Sequence, residues 1–145
     1  PPEVCEPPPG LPDALGVAGE EIAAGKGYLV VRLANSQEVA TVAPDMARLA
    51  ILGPRGVAVT AAGDPGSEFD FVSRVFVPSA GVPEDPVTGS AHCVLTPYWS
   101  DRLGKNRLTA FQASARGGRL QVAWEGDRVE LAGRAVTVAQ ITMVR

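Results

Sequence analysis

Apolar residues fall into short runs divided by glycine, proline and acidic turns, a pattern of many strands and few helices. Tyr28-Leu29-Val30-Val31-Arg32-Leu33 is almost continuously apolar, as a strand covered on both faces would be. Asn35-Ser36 supplies a turn, and Gln37 to Val42 reads as a second strand through its β-branched residues. Pro44-Asp45 opens a short helix with Met46, Leu49 and Ala50 on one side and Gly53-Pro54 as its stop. Val57 to Ala61 is a strand, and so is Phe69 to Val77, where Phe69, Phe71, Ser73, Val75 and Val77 share a face. A turn-rich passage from Pro78 to Gly89 leads into the strongest helix, Ser90 to Leu103, closed by Gly104. Strands then succeed one another: Leu108 to Arg116, Arg119 to Trp124, Arg128 to Leu131 and Ala135 to Val144. Gly117-Gly118 is a two-residue hairpin turn between the first two. The predicted class is α+β: a mostly antiparallel sheet curling around one central helix. Ala91, Cys93, Val94, Leu95, Tyr98, Trp99 and Leu103 leave that helix few positions for water.

The opening differs in kind. Pro1 to Gly10 holds five prolines, whose locked φ and missing N–H groups disfavour both ladders and helices. Leu11 to Gly16 reads as one helical turn, and residues 1–26 together as a leading linker before a domain over 27–145. The first residue is Pro1, so the chain reads as a piece of a longer translation product.

Composition narrows the function classes. The 145 residues are 46% hydrophobic and 20% charged, enough apolar matter for a packed core and too little charge for a disordered chain. A net charge of −3 offers no electrostatic footprint for nucleic acid, and no apolar run reaches the length of a membrane span. Two cysteines, Cys5 and Cys93, cannot build a disulfide framework, which points to a reducing, cytoplasmic setting.

Candidate chemistry concentrates between Gly81 and His92. Glu84 and Asp85 sit in a proline-braced turn directly before a helix that begins Thr88-Gly89-Ser90-Ala91. Such a start leaves N–H groups unpaired with about half a positive charge, and Gly89 lets a ligand approach them closely. Thr88 or Ser90 can cap the helix or donate a hydroxyl to the same anion, so a carboxylate or phosphate can bind without a basic residue. Ordinary turn and capping chemistry accounts for the same residues, and from local sequence alone it is the more economical reading. His92, the only histidine, can contact the ligand or transfer protons from the first helical turn, or be satisfied by nearby backbone. With no second histidine or cysteine at ligand spacing it makes a poor metal site. Cys93 reads as a small inward-facing hydrophobe. Gln112, Ser114 and Arg116 share one strand face, either lining a site or meeting solvent. Arg74, inside an apolar strand, calls for a carboxylate partner, Glu84 or Asp85.

These motifs resemble the PhzF-like family of phenazine biosynthesis. The resemblance rests on Ser73-Arg74-Val75-Phe76-Val77-Pro78, on Gly81 through His92, on Leu95-Thr96-Pro97-Tyr98-Trp99, on Leu103-Gly104-Lys105, on Gln112 through Gly118, and on Gly126-Asp127-Arg128-Val129. It implies a diaminopimelate epimerase-like fold with two similar lobes, each a barrel-like sheet around a central helix, and an active site between them. The chain resembles the C-terminal lobe; the family's N-terminal Gly-Asn-Pro, Ser-Glu-Thr and Gly-His-Ala motifs do not occur in it. The resemblance further implies a cofactor-independent isomerase or epimerase that moves a proton between carbons of a small carboxylate-bearing metabolite. The name-giving activity isomerises a dihydro-hydroxyanthranilate. Asp85 is carried over as the catalytic acidic group of this lobe, and Thr88, Gly89, Ser90 and His92 as the substrate-binding helix start. The principal glutamate belongs to the other lobe. Asp85 stands where related epimerases place a cysteine, so no two-thiol mechanism is expected.

The expected partners are a small carboxylate substrate and an N-terminal lobe or second subunit, with neither nucleic acid nor membrane. The segment from about Gln140 is expected to return to the N-terminal lobe as a last strand. The alternative is a stand-alone homodimeric domain that binds small acids without turnover. A third reading is a structural or interaction protein whose site is residual.

Overall fold

The strand at Tyr28–Arg32 is buried along four of its five residues because helices cover the sheet on both faces at that point. A computed structural model describes residues 1–143. Among these, nine strands join in one sheet: β1 (Glu3–Val4), β2 (Glu21–Gly25), β3 (Tyr28–Arg32), β4 (Gly56–Ala62), β5 (Phe71–Val77), β6 (Val82–Glu84), β7 (Arg107–Gln112), β8 (Gly118–Trp124) and β9 (Val129–Ala132). The helices are α1 (Leu11–Leu15), α2 (Ser36–Thr41), α3 (Met46–Ile51) and α4 (Gly89–Leu103). Strand order is β1-β2-β3-β4-β5-β7-β8-β9, with β6 attached to β5.

Neighbouring strands are antiparallel except β3–β4 and β5–β7. A parallel pair needs a long crossover, and the two crossovers here lie on opposite faces. The first carries α2 and α3. With α1 they bury Leu11, Leu15, Val39, Val42 and Leu49 against Val31, Val57, Val59 and Phe76. The second carries β6 and α4. Its Ala91, Val94, Leu95, Tyr98 and Trp99 pack against Tyr28, Val30, Phe71, Val75, Leu108 and Val122 from β3 to β8. The expected α+β class with a sheet around the long helix is what the chain forms. The sheet does not close into a barrel, however: β1 and β9 remain edges. Between these edges α4 keeps one open side, a groove of about 600 Å³ lined by Pro2, Lys26, Cys93, Pro97, Trp124 and Arg128. Cys93 therefore faces the groove and not the core.

Burial on nearly every side explains why α4 lacks a polar stripe: nine consecutive or near-consecutive residues from Ala91 to Ser100 are buried. Pro97 lies within the helix and lacks the N–H that would pair with the Cys93 carbonyl. One residue earlier the Thr96 hydroxyl donates to the His92 carbonyl at 2.6 Å. Trp99 Nε1 donates to Thr60 Oγ1 at 3.0 Å, tying the helix to β4.

Three expectations are corrected. Residues 1–26 are not a linker, since they carry β1, α1 and β2. Gly10 and Gly16, both in the left-handed region, bracket α1, whose Leu11, Ala14 and Leu15 are fully buried. Of the expected strand Gln37 to Val42, all but Val42 is helical: Asn35 accepts from Glu38 N at 2.9 Å and starts α2. That capping bond outweighs the β-branched content of Val39 and Thr41. Ala135 to Val144 forms no ladder over its described part; Val136, Val138, Ile141 and Met143 are exposed, and Val144 lies outside the described residues.

If the opening segment is integral to the fold, Leu15→Ala will cost about 2–5 kcal/mol in guanidinium unfolding, the range for emptying a core leucine position. A linker would show almost no change.

Candidate functional site

Asp85 and the start of α4 are positioned by contacts from three strands. The Asp85 N–H donates to the Val75 carbonyl at 3.0 Å, continuing the β5–β6 pairing. Glu84, the preceding residue, is occupied: Arg74 binds it through two nitrogens, Nε to Oε1 at 2.8 Å and Nη2 to Oε2 at 3.0 Å. The remaining Arg74 nitrogen donates to the Val42 carbonyl at 2.7 Å and the Ala40 carbonyl at 3.1 Å, at the end of α2. Of the two carboxylates considered for Arg74, Glu84 is therefore the partner. No cation is paired with Asp85 among the described residues.

The helix start is open in a specific sense. No side chain caps α4: the hydroxyl of Thr88, its N-cap residue, donates to Asp85 Oδ2 at 2.5 Å and faces Gln112 Nε2 at 3.2 Å. Gly89 is half-buried and Ser90 exposed. The Ser90 hydroxyl meets Tyr28 Oη at 2.8 Å, bringing a buried tyrosine to the helix start. Gly56 makes room for that ring, since a Cβ there would lie 2.8 Å from Tyr28 Cε1. The arrangement sets one free carboxylate, two hydroxyls and the positive end of a 15-residue helix beside one another. An acidic small molecule can be bound by the N–H groups while Asp85 exchanges a proton with it.

Gln112 and Ser114 belong to this site in a way that strand alternation did not reveal. Gln112 is fully buried; its Oε1 accepts from Thr88 N at 2.8 Å and its Nε2 donates to the Asp85 carbonyl at 2.5 Å. Ser114 donates to the Pro86 carbonyl at 2.8 Å. Both ends of the turn are thus gripped from the end of β7, while Arg116 stays in solvent. Gly118 adds steric contact, for a Cβ there would lie 2.1 Å from Val87 Cγ2. The connection from β7 to β8 is residues 113–117 and not a two-residue turn, because Gln112 already pairs with Gly118. The sequence showed Gln112 and Ser114 only as part of a polar strand face; the groups they bind are 27 and 28 positions away and are brought to them by the fold.

His92 is corrected. It was expected among the substrate-binding residues, yet its ring is fully buried beneath the helix start, 6.0 Å from the Phe71 ring. Nδ1 donates to the Thr88 carbonyl at 2.8 Å, and Nε2 has no hydrogen-bond partner among the described residues. A helical residue four positions after the N-cap turns back toward it, and this one turns into the core. Burial lowers the His92 pKa below its ordinary value, against the opposing pull of the Thr88 carbonyl. The residues lining the groove beside α4 do not include the Asp85 turn, and Asp85 itself is half-buried. No group of residues suited to holding a metal ion occurs among the described residues. Nor, among them, is any helix long and apolar enough to cross a membrane.

Comparison with known proteins bears on this geometry. Residues 15–141 match the family described as phenazine biosynthesis-like protein, PhzC-PhzF. An uncharacterized isomerase of Pseudomonas aeruginosa is 53% identical over 134 residues, which is 92% of this chain and 50% of that protein. Another, from Halalkalibacterium halodurans, is 42% identical over 128 residues, covering 88% of this chain and 48% of the relative. The crystal structure of a PhzF-family phenazine biosynthesis protein from Enterococcus faecalis superposes with a TM-score of 0.88 at 41% identity. That match covers 95% of this chain and 52% of the other. The chain thus spans about half the length of the curated relatives it matches.

The buried histidine has a consequence for stability. The folded state resists protonating His92, whereas the unfolded chain takes up the proton near its ordinary pKa of 6.5. Stability is therefore full above about pH 6.5 and declines as pH falls below it, by up to about 1.4 kcal/mol per unit. Guanidinium midpoints between pH 7 and 5 will show this slope, and His92→Gln will flatten it. Acid loss from Glu21 and Asp70, whose pKa values are lowered, falls at lower pH and is separable. At Glu21 the Tyr98 hydrogen bond leads, and at Asp70 the Lys105 and Thr109 bonds outweigh burial.

Proposed function

Because the chain belongs to the phenazine biosynthesis-like (PhzC-PhzF) family, we propose that it forms one wall of the active-site cleft of a cofactor-independent isomerase. The reaction moves a proton between carbons of a small carboxylate-bearing metabolite. One observation carries this reading: the Thr88 hydroxyl is turned away from its helix and onto Asp85. The N–H groups of α4 are left for an anion, with a carboxylate fixed beside them. The relatives named isomerases support the reaction class.

The parts divide the work. The first-turn N–H groups and the Ser90 hydroxyl hold the substrate carboxylate and stabilise the charge that grows on an enolate-like transition state. Asp85 accepts or returns a proton at carbon, and Gly89 keeps the approach free of side chain. A second acid or base comes from an opposing lobe, because one wall neither excludes water nor brackets a carbon from two sides. The exposed Val136, Val138, Ile141 and Met143 support an opposing surface, since such apolar side chains are rarely left in a row to water. In this reading the C-terminal segment joins the other lobe as a strand; a second copy of the chain is the other candidate for that surface.

The test is proton exchange at carbon. The complete protein is incubated in deuterated water with a dihydro-hydroxyanthranilate and a panel of small carboxylic acids. Incorporation of deuterium at carbon in one of them is expected. Asp85→Asn should cut it by about 10²–10⁴-fold, the usual worth of a positioned proton-transfer group, with the melting midpoint little changed. Unchanged exchange with a lowered midpoint would make Asp85 a brace of the turn.

A further inference from the structure

We propose that Gln112 is a positioning residue: through Thr88 it fixes the direction of the hydrogen bond that orients the Asp85 carboxylate. The inference rests on the reading of Asp85 as the proton-transfer group, but its geometry stands independently.

The direction follows from donor and acceptor types alone. The Thr88 N–H can only donate, so the carboxamide atom 2.8 Å from it is the oxygen, Oε1. Nε2 then faces the Asp85 carbonyl at 2.5 Å, which can only accept, and Thr88 Oγ1 at 3.2 Å. A flipped carboxamide would set donor against donor and acceptor against acceptor, so the orientation has no second solution. Having accepted from Nε2, the Thr88 hydroxyl has one proton left to give. The acceptor within reach is Asp85 Oδ2 at 2.5 Å. The chain runs in one sense, from Gln112 to Thr88 to Asp85. It engages one oxygen of the carboxylate, and Oδ1 is left without a protein hydrogen bond among the described residues.

Gln112 can impose this order because it is itself immobile. It ends β7, pairs with Ser73 on one side and Gly118 on the other, and is fully buried. Asp85 lies in a turn that takes its hold from such positions, through the Val75 carbonyl on one side and Gln112 on the other. Leaving a buried carboxamide unpaired is costly, so its three bonds act together to hold the turn in one shape. A sheet position thereby sets the rotamer of a carboxylate on a loop.

The side-chain scalar couplings of Asp85 in isotope-labelled protein test this, with melting midpoints as the control for folding. The protein as it stands and Thr88→Ser, which keeps the hydroxyl, should report one χ1 rotamer. Thr88→Val and Gln112→Glu should lose the single-rotamer pattern and report averaging. An ionised glutamate still accepts from Thr88 N–H but donates nothing, and it competes with Asp85 for the Thr88 proton. A single Asp85 rotamer retained in folded Thr88→Val or Gln112→Glu would overturn the proposal, as would averaging in Thr88→Ser. Should Gln112→Glu fail to fold, the valine and serine pair decides alone. A relay that holds while Asp85→Asn leaves proton exchange intact would overturn the functional reading and not this one.

Discussion

A helix buried on nearly all sides has little freedom to slide or roll, and α4 is such a helix. Its side chains are inserted among strands from β2 to β8, and a close-packed interior felt at the level of single methylenes resists displacement. The helix start is therefore delivered to one place at the rim of the sheet. The proposed site is referenced to that place. The usual amphipathic arrangement, with one face in water, would leave the end of a helix more latitude than a ligand site can tolerate.

Positioning the helix does not position the turn that precedes it, and the structure solves the second problem with different means. Arg74 takes Glu84 and the last carbonyls of α2, which links the outer helical layer to the residue before Asp85. Gln112 and Ser114 take the main chain on the other side of it. Gly118 removes the side chain that would push Val87 away. These constraints arise from residues distant in sequence, and all converge on a stretch of five residues. Convergence of that kind costs the fold a half-buried arginine and a buried carboxamide, each of which is paired where it leaves water.

Much of this was legible in the chain itself. The elements β3, β4, β5, α3 and α4 carry local signals that agree with their packing: Asp45 caps α3, Gly104 ends α4, and the apolar runs match the covered faces. Failures cluster where one local signal opposed another. In α2 the β-branched Val39 and Thr41 suggested a strand, while Asn35 followed three residues later by Glu38 carried the helix-start signature that prevailed. In the opening segment the prolines masked Leu11, Ala14 and Leu15, although glycines on both sides marked a closed helical turn. Of the site, Asp85, Thr88, Gly89 and Ser90 stood out because their chemistry is local to a helix start. Gln112 showed only as one of three polar residues on a strand face and Tyr28 not at all, since both act through strand pairings that bring residues 24 and 62 positions away to that start. His92 misled for the reverse reason: proximity in sequence put it near the ligand, and helical geometry turned it inward.

The adjacent carboxylates Glu84 and Asp85 show how one peptide step separates structure from chemistry. Successive residues of an extended segment point to opposite sides, so one side chain returns to the fold when the other leaves it. Glu84 goes to the side of Arg74, where two parallel bonds neutralise it and make it part of the scaffold. Asp85 goes to the side of the helix start, where its partner is a neutral hydroxyl and its charge is not cancelled. Exchanging the two roles would require a change of register by one residue, which the β5–β6 pairing and the Asp85 N–H bond to Val75 forbid. The register of a three-residue strand thus decides which of two neighbouring acids braces the fold and which is available for chemistry.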